Sequence, residues 1–517
     1  MKTEFNGCKS FDCINLANPD LSIYKRNNQL GFDSYQCLEC GAFTPILDNN
    51  SMLTLYNQIS QSKNAIQAPY CPNCTKKTRT QAYGTTKSGS PRRRCCQCAH
   101  IFSLLNPATL SLKLQAMLDA ITNGKTPSLL HHHLGLNSKV FYARLTQLSQ
   151  LLEHVTQLLV TDIVQTENPL ILHTKTKTNT VMLRSGSARQ SGLKCWGLST
   201  VDCKLGFQIL NSDNLLLDNS HSKDLYQLNN VEPKHKENHS SFSSVEMTYK
   251  KIFSRHKFDD IAYAYQSETK TKEGVILRPV YVAHAHYLLL NTLISENKKF
   301  QLLLEHESFL RGSSITNFEK RVKQNQCNLY YLYASPSTPD YSNQINRKNI
   351  GWWNETWEKF TQQCQNKHWD ITLCNLTNGP HPNLNSIRLD WHADFEQHFT
   401  QWLPISKQRM LSHKVYMQWH HIFTYIYNVI YCDKRKNALL KLNIDFKSIE
   451  SLVGFVNYKH VSSTDADKLC NLDKQTECVC LNNSVVPCSK HFKCTTSRKP
   501  IIWFCQQQIP IKPFHEL

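Results

Sequence analysis

Four cysteines follow the spacing C-x2-C-x20-C-x2-C: Cys71 and Cys74 in YCPNC, then Cys95 and Cys98 in RRRCCQC. A two-residue spacer lets both thiolates of a pair reach one ion, and two pairs supply the four soft ligands of tetrahedral zinc. Carried on short hairpins, such pairs make a zinc ribbon. Cys96 is an extra thiol that competes for a ligand position. Upstream, Cys8, Cys13, Cys37 and Cys40 combine a regular CLEC knuckle with a looser C-x4-C half. They read as a second structural zinc site, with one site drawn from a mixture of these cysteines as the alternative. Near the other end stand Cys470, Cys478, Cys480, Cys488, Cys494 and Cys505, with His491. They are numerous enough for a third zinc but lack a regular double knuckle, so isolated thiols are the competing reading. The N-terminal MKTEFNGCKS has no apolar signal core, which favours a reducing compartment and metal ligation over disulfides for the 21 cysteines.

The charge is concentrated around the second cysteine set. No Asp or Glu lies between Asp48 and Asp119, whereas Lys63, Lys76, Lys77, Arg79, Lys87, Arg92, Arg93, Arg94 and Lys113 do. Basic side chains on a rigid scaffold neutralise phosphates and release counterions, giving affinity without sequence information. The whole chain carries a formal +19 over 517 residues. That balance points to an anionic polymer, and double-stranded DNA is the partner expected. A membrane is not: the most apolar late stretch, Val415–Cys432, is interrupted by Gln418, His420, His421 and Asn428 and reads as a buried helix.

These residues need elements to hold them. From Thr109 to Leu159 the pattern is helical. Leu114, Met117, Leu118 and Ile121 share a face, Asn123–Lys125 break it, and Pro127 starts a short second helix closed by Gly135. Asn137 caps a third helix, whose inner face carries Phe141, Leu145, Leu148 and Leu152. Lys139, Ala143, Thr146, Gln147 and Gln150 point outward. Three helices with a short central one fit a helix-turn-helix, with Lys139 and Gln147 as DNA-contacting residues. A plain helical bundle is the alternative, and His131–His133 read as polar helix surface.

From Pro169 the pattern changes to strands over Leu170–Leu183, Lys194–Asp202 and Leu205–Asn211, with a turn at Cys203–Lys204. A polar insertion, 212–274, follows. Then come a helix at Tyr281–Ser295, a strand at Phe300–Leu304, a helix at Ser314–Gln324 and a strand at Asn328–Ala334. The fold class expected is multidomain α+β. The modules are a first four-cysteine zinc module at 1–50, a zinc ribbon at 66–104, a helix-turn-helix at 105–160, an α/β domain at 168–432 and a Cys-rich segment at 433–517.

This series resembles bacterial insertion-sequence transposases that have a zinc-ribbon N-terminus and an RNase H-like DDE domain. The pieces that carry the resemblance are FNGCKSFDC…YQCLECGAF, YCPNC…RRRCCQCAHIF, GLSTVDCKLGF and VYVAHAHYLLLNTLI…LLLEHESFLRG. It implies three carboxylates holding two Mg²⁺ ions for phosphodiester transfer. The first should end the first strand, where this chain has Lys175. The second should follow the fourth strand, where Glu305 and Glu307 stand. The third belongs on a later helix, with Glu396 ahead of Glu355 and Glu358. Asp202, on the second strand, is the substitute for the missing first acid.

The reading favoured is a zinc-containing DNA-binding protein of transposase type with a degraded catalytic centre, cytoplasmic and nucleoid-associated, with self-association left open. An active Mg²⁺-dependent transposase is one alternative. A zinc-ribbon RNA-binding or assembly protein is the other.

Overall fold

The computed structural model describes residues 2–28, 33–61, 71, 74, 79–87, 89–104, 107–166, 169–182, 192–217, 257–258, 269–270, 274–337, 346–349, 356–364, 367–431 and 444–462. They form a mixed α/β structure in two compact units. The first comprises Met1–Ser62 and Leu159–His420, the second Lys63–Leu158 and His421–Leu517.

In chain order the elements begin with strands β1 (Tyr24–Asn27), β2 (Ser34–Cys37) and β3 (Phe43–Pro45) and helix α1 (Asn49–Gln61). Next are β4 (Thr80–Thr85), β5 (Pro91–Cys95), β6 (Ile101–Ser103), α2 (Pro107–Thr122), α3 (Pro127–Leu134) and α4 (Ser138–Thr166). There follow β7 (Leu170–Met182), β8 (Gly192–Asp202), β9 (Gln208–Asp213), β10 (Leu215–Leu216), β11 (Thr269–Lys270), β12 (Val275–Ile276) and α5 (Pro279–Leu293). Then come β13 (Phe300–Leu304), α6 (Ser308–Asn317), α7 (Glu319–Lys323), β14 (Cys327–Pro336), β15 (Asn346–Asn349), β16 (Thr356–Cys364) and β17 (Lys367–Asn375). The last are α8 (Trp391–Trp402), α9 (Ile405–Gln408), α10 (His413–Val429) and α11 (Ile449–Ser462).

The first unit is built on an eight-stranded sheet of order β15-β16-β17-β14-β13-β7-β8-β9. β7, β8 and β9 run antiparallel, while β13 is parallel to both β7 and β14. The two parallel joins need crossovers, and helices supply them: α5 leads into β13, and α6 with α7 into β14. β7 is therefore central, with β8 on one side and β13 on the other. Its Leu172 pairs with Asp202, its Lys175 with Ser199, and its Thr174 with Leu304 at the end of β13.

Helices cover the sheet. Twelve residues of α5 from Pro279 to Leu290 are all buried, because this helix packs against β8 and β9 and also against α1 and α6. A helix with neighbours all round has to be apolar all round. Polar anchors interrupt it: His286 bonds Thr200 and Ser212 at 2.7 Å each, with Thr200 in turn 2.6 Å from Thr174, His284 Nδ1 is 3.2 Å from Asn317 Nδ2, and Tyr281 Oη accepts the Asp48 N–H at 3.1 Å. α8 is pinned at its first residue. Trp391 Nε1 donates to the Cys203 carbonyl at 2.9 Å, and its ring lies where a Cβ on Gly206 would fall. Gly206 also has φ +76°, so the β8–β9 turn needs glycine on two counts.

In the second unit, β4, β5 and β6 form a three-stranded antiparallel sheet. α2 packs on α3 and on α11. Gln115 of α2 accepts from the Ile449 N–H and donates to the Lys447 carbonyl, so it caps α11. α3 has Pro127 in its first turn and ends at Gly135 in the left-handed region. Asn137 then accepts from the Val140 N–H at 2.9 Å to start α4.

Three expectations change. The helix placed at Ser314–Gln324 begins at Ser308 and is interrupted at Phe318, because Phe309, Leu310 and Phe318 are buried against neighbouring elements. The strand placed at Leu205–Asn211 runs from Gln208 to Asp213. The turn consumes Cys203–Leu205, and buried Ser212 and Asp213 extend the strand through bonds to His286 and His413. The 212–274 insertion contributes β10 and β11 to a small sheet with β12; residues 218–256, 259–268 and 271–273 are outside the described set, as are 463–517 with their cysteines. The apolar stretch 415–432 falls largely within α10, and no helix among the described residues is long and apolar enough to cross a membrane.

Candidate metal centres and nucleic-acid interface

Two tetra-cysteine groups form: Cys8, Cys13, Cys37 and Cys40 in the first unit, and Cys71, Cys74, Cys95 and Cys98 in the second. Within each, all four sulfurs lie within 4.8 Å of one another. Among the sulfur pairs, Cys8–Cys40 are 3.5 Å apart, Cys13–Cys37 3.7 Å, Cys71–Cys98 3.3 Å and Cys74–Cys95 3.8 Å. Zinc–sulfur bonds of about 2.3 Å set tetrahedral sulfurs about 3.8 Å apart, so both groups fit a zinc ion. Cys96 stands outside the second group, exposed.

The same local device builds both knuckles. Cys37 ends β2, its N–H donates to the Ala42 carbonyl at 2.8 Å, and Gly41 N–H returns to the Cys37 carbonyl at 2.9 Å. Cys95 ends β5, its N–H donates to the His100 carbonyl at 2.9 Å, and Ala99 N–H returns to the Cys95 carbonyl at 3.1 Å. The residue after the second cysteine is left-handed in each, φ +71° at Gly41 and +57° at Ala99. A backbone N–H aims at a ligand sulfur at Ser10 onto Cys8, 3.5 Å, and at Gln97 onto Cys95, 3.4 Å. Burial pushes the Cys13 thiol up to about 11. Burial also opposes the Cys37 thiolate, but N–H donors from Cys40 and Glu39 bring that group down to about 7. Four thiolates crowded together repel one another, and a divalent ion bound between them removes that cost.

Above the second group lies the basic sheet. Along β5 successive side chains alternate in direction. Arg93 shares its side with Cys95 and sits opposite buried Phe102 on β6. Its Nε has no hydrogen-bond partner among the described residues, and burial lowers its pKa. Arg92 and Arg94 take the other side. Arg92 lies over the Tyr83 ring at 5.6 Å, and Arg94 sits opposite Gln81. Arg79 and Lys87 are exposed, whereas Lys76 and Lys77 are outside the described residues. On α4, Phe141, Leu145, Leu148 and Leu152 are buried, and Lys139, Ala143 and Gln147 are exposed.

The candidate carboxylates separate. Glu305 follows β13 directly, level with Lys175 in the register, and its Oε2 accepts the N–H, at 2.9 Å, and the hydroxyl of Thr176, whose side chain takes the other side of β7 from Lys175. Lys175 is lowered from the ordinary lysine range by burial, against the opposing pull of Glu305 and Asp390. Glu307 is turned away and buried, accepting the N–H groups of Lys257 and Phe258 at 2.8 and 3.1 Å. Asp202 is fully buried, accepts the Leu205 N–H at 2.6 Å and pairs with Leu172. It thus ends β8 three residues along β7 from Lys175, with its carboxylate turned to the β8–β9 turn, and is not brought to Glu305. Glu396, on α8, is the foremost carboxylate acting on Lys177. Glu358 lies on β16, 3.6 Å from His381, and Glu355 is outside the described residues.

Sequence reading missed what surrounds Lys175. His173, Lys175 and Lys177 alternate along one side of β7 beneath α8. The His173 and His392 rings are 5.0 Å apart, and His392 Nε2 donates to the His173 carbonyl at 3.0 Å. Lys177 Nζ is 3.1 Å from both Asn211 Oδ1 and His420 Nε2. The period-two run HTKTK at His173–Lys177 was the available signal. Comparison with protein-family models, with curated proteins and with solved structures finds no match for this chain.

Proposed function

We propose that this chain is a zinc-holding, DNA-binding protein of transposase type, with an RNase H-like domain that has lost its first catalytic carboxylate. The observation that carries this reading is the juxtaposition of Lys175 and Glu305. Three-carboxylate phosphodiester chemistry needs an acid on a central strand beside an acid just beyond its parallel neighbour. That Lys175 on β7 stands level with Glu305 just beyond β13 supports the reading that a lysine occupies the first of these positions. A series of three antiparallel strands followed by helix, strand, helix, strand supports the domain reading.

Electrostatics then argue against metal-dependent cleavage. At about 4 Å a lysine and a unit positive charge repel by roughly 4 kcal/mol at an effective dielectric of 20, and a divalent ion doubles that. Deprotonating Lys175 would ease the repulsion but supply no bridging carboxylate. Asp202, the substitute acid, is engaged in the β8–β9 turn.

The remaining features support binding. The tetra-cysteine groups would each take a structural zinc through Cys8, Cys13, Cys37 and Cys40, or Cys71, Cys74, Cys95 and Cys98. A metal bound there stiffens small sheets that have little core of their own. The succession α2, α3, α4 supports a helix-turn-helix, with Lys139 and Gln147 on the outer side of its third helix.

Duplex cleavage with Mg²⁺ or Mn²⁺ tests the reading. The wild type should leave DNA intact at concentrations where it is bound. Cleavage by the wild type that is abolished in Glu305→Gln would establish an active transposase instead. Tighter, salt-sensitive binding to RNA than to duplex DNA would favour the RNA-binding alternative.

A further inference from the structure

We infer that the outward face of the β4–β5–β6 sheet is a platform for a single-stranded stretch of DNA, on which Tyr83 stacks a base and Arg92 and Arg94 hold the adjoining phosphates. The inference takes its ligand class from the DNA-binding reading, but it names a different surface from α4 and a different form of the nucleic acid.

Strand alternation sorts the three consecutive arginines. Arg93 goes with Cys95 and Phe102 to the inner side, which leaves Arg92 and Arg94 on the open face with Gln81 as cross-strand neighbour. The pairing of β4 with β5 shifts between Ala82 and Thr85, and Gly84 has φ +79°. A β-bulge of this kind re-aims the side chain beside it. That side chain is Tyr83, which is 44% exposed although Arg92 lies 5.6 Å from its ring centre.

The occupant follows from charge and from the aromatic ring. With no acid from residue 49 to 118, nothing local in sequence neutralises these arginines. Two residues of an antiparallel strand span about 6.8 Å, a separation comparable with that of successive phosphates along one nucleic-acid strand. Arg92 and Arg94 can thus serve nearby phosphates of one strand. In a duplex the base faces are covered by their neighbours, so an exposed ring gains little there. An unpaired base offers its face, and aromatic stacking is tolerant of which base it is. A guanidinium beside the ring adds a cation–π contribution.

The experiment uses the full zinc-loaded chain and fluorescence anisotropy over a salt series. The probes are a labelled oligothymidylate of about 16 nucleotides, the matching oligouridylate and a blunt duplex. Tyr83→Ala should weaken oligothymidylate binding about tenfold or more, leave duplex binding and zinc content unchanged, and be rescued by Tyr83→Phe. If Tyr83→Ala sheds zinc, Tyr83→Leu keeps the bulk without the ring and should show the same loss. Arg92→Ala with Arg94→Ala should lower the salt slope for the oligothymidylate by about 1.4, at about 0.7 for each contact. Lys139→Ala with Gln147→Ala should affect the duplex alone. The inference is overturned by a wild type that ignores the oligothymidylate, by unchanged affinity in the Tyr83 variants, by equal losses for oligothymidylate and duplex, or by tighter binding of the oligouridylate. Failure of duplex binding with these single-strand effects intact would strike the α4 reading and leave this one standing.

Discussion

Burial of His173 on β7 against His392 on α8 has a consequence for acid stability. His392 is pushed down to about 3, by burial and by the nearby Lys175, and His173 lies well below 6.5 for the same causes. The unfolded chain protonates both imidazoles near pH 6.5 while the folded chain does not. These depressed values therefore leave stability intact above about pH 6.5 and withdraw it as pH falls towards 3, by about 1.4 kcal/mol per pH unit for each histidine. Between pH 7 and 5, His392→Phe should lose about 2 kcal/mol less than the wild type, as read from urea midpoints with zinc present in both. Parallel curves for the two proteins would show that His392 does not titrate in this way. The lysine at position 175 was legible from its place in a strand pattern. Its histidine neighbour was not, because His392 reaches β7 from more than two hundred residues away in sequence.

At the scale of elements, the two knuckles differ at one position. Gly41 and Ala99 both take the left-handed conformation, and Ala99 carries a Cβ there at a cost of about 1 kcal/mol. Ala99→Gly should stabilise the second tetra-cysteine unit by about 0.5 to 1 kcal/mol, slowing zinc removal by a chelator. Faster loss would contradict the shared knuckle geometry. Gly206→Ala should act the other way, since the added methyl strains φ +76° and meets the Trp391 ring that fixes α8. An unchanged melting temperature in that variant would show that α8 is fixed by something else. The local signals were readable: cysteine spacing, Pro127, Gly135 and Asn137 each act within a few residues of themselves. What was not readable is non-local. The register that sets Asp202 against Leu172, and the burial that starts α6 at Ser308, depend on strands and helices brought together from distant parts of the chain.

For the whole molecule, zinc content and DNA behaviour are separable. Ser in place of any of Cys8, Cys13, Cys37, Cys40, Cys71, Cys74, Cys95 or Cys98 should cost one zinc per chain by elemental analysis. Cys96→Ser should cost none, because that thiol is outside the group. Zinc loss on changing Cys96 would require a different ligand set. The +19 charge is the sequence feature from which an anionic partner is expected, whereas the division of the chain into units had no such signal. Residues 1–62 belong with 159–420, so the first tetra-cysteine group shares a unit with the eight-stranded sheet. The central claim is that such a protein holds DNA without cutting it. The most direct measurement incubates the zinc-loaded wild type with end-labelled duplex and Mn²⁺, then resolves the same sample on native and denaturing gels. The account predicts DNA that is retarded on the first and full-length on the second; unretarded DNA, or fragments that disappear in Glu305→Gln, would contradict it.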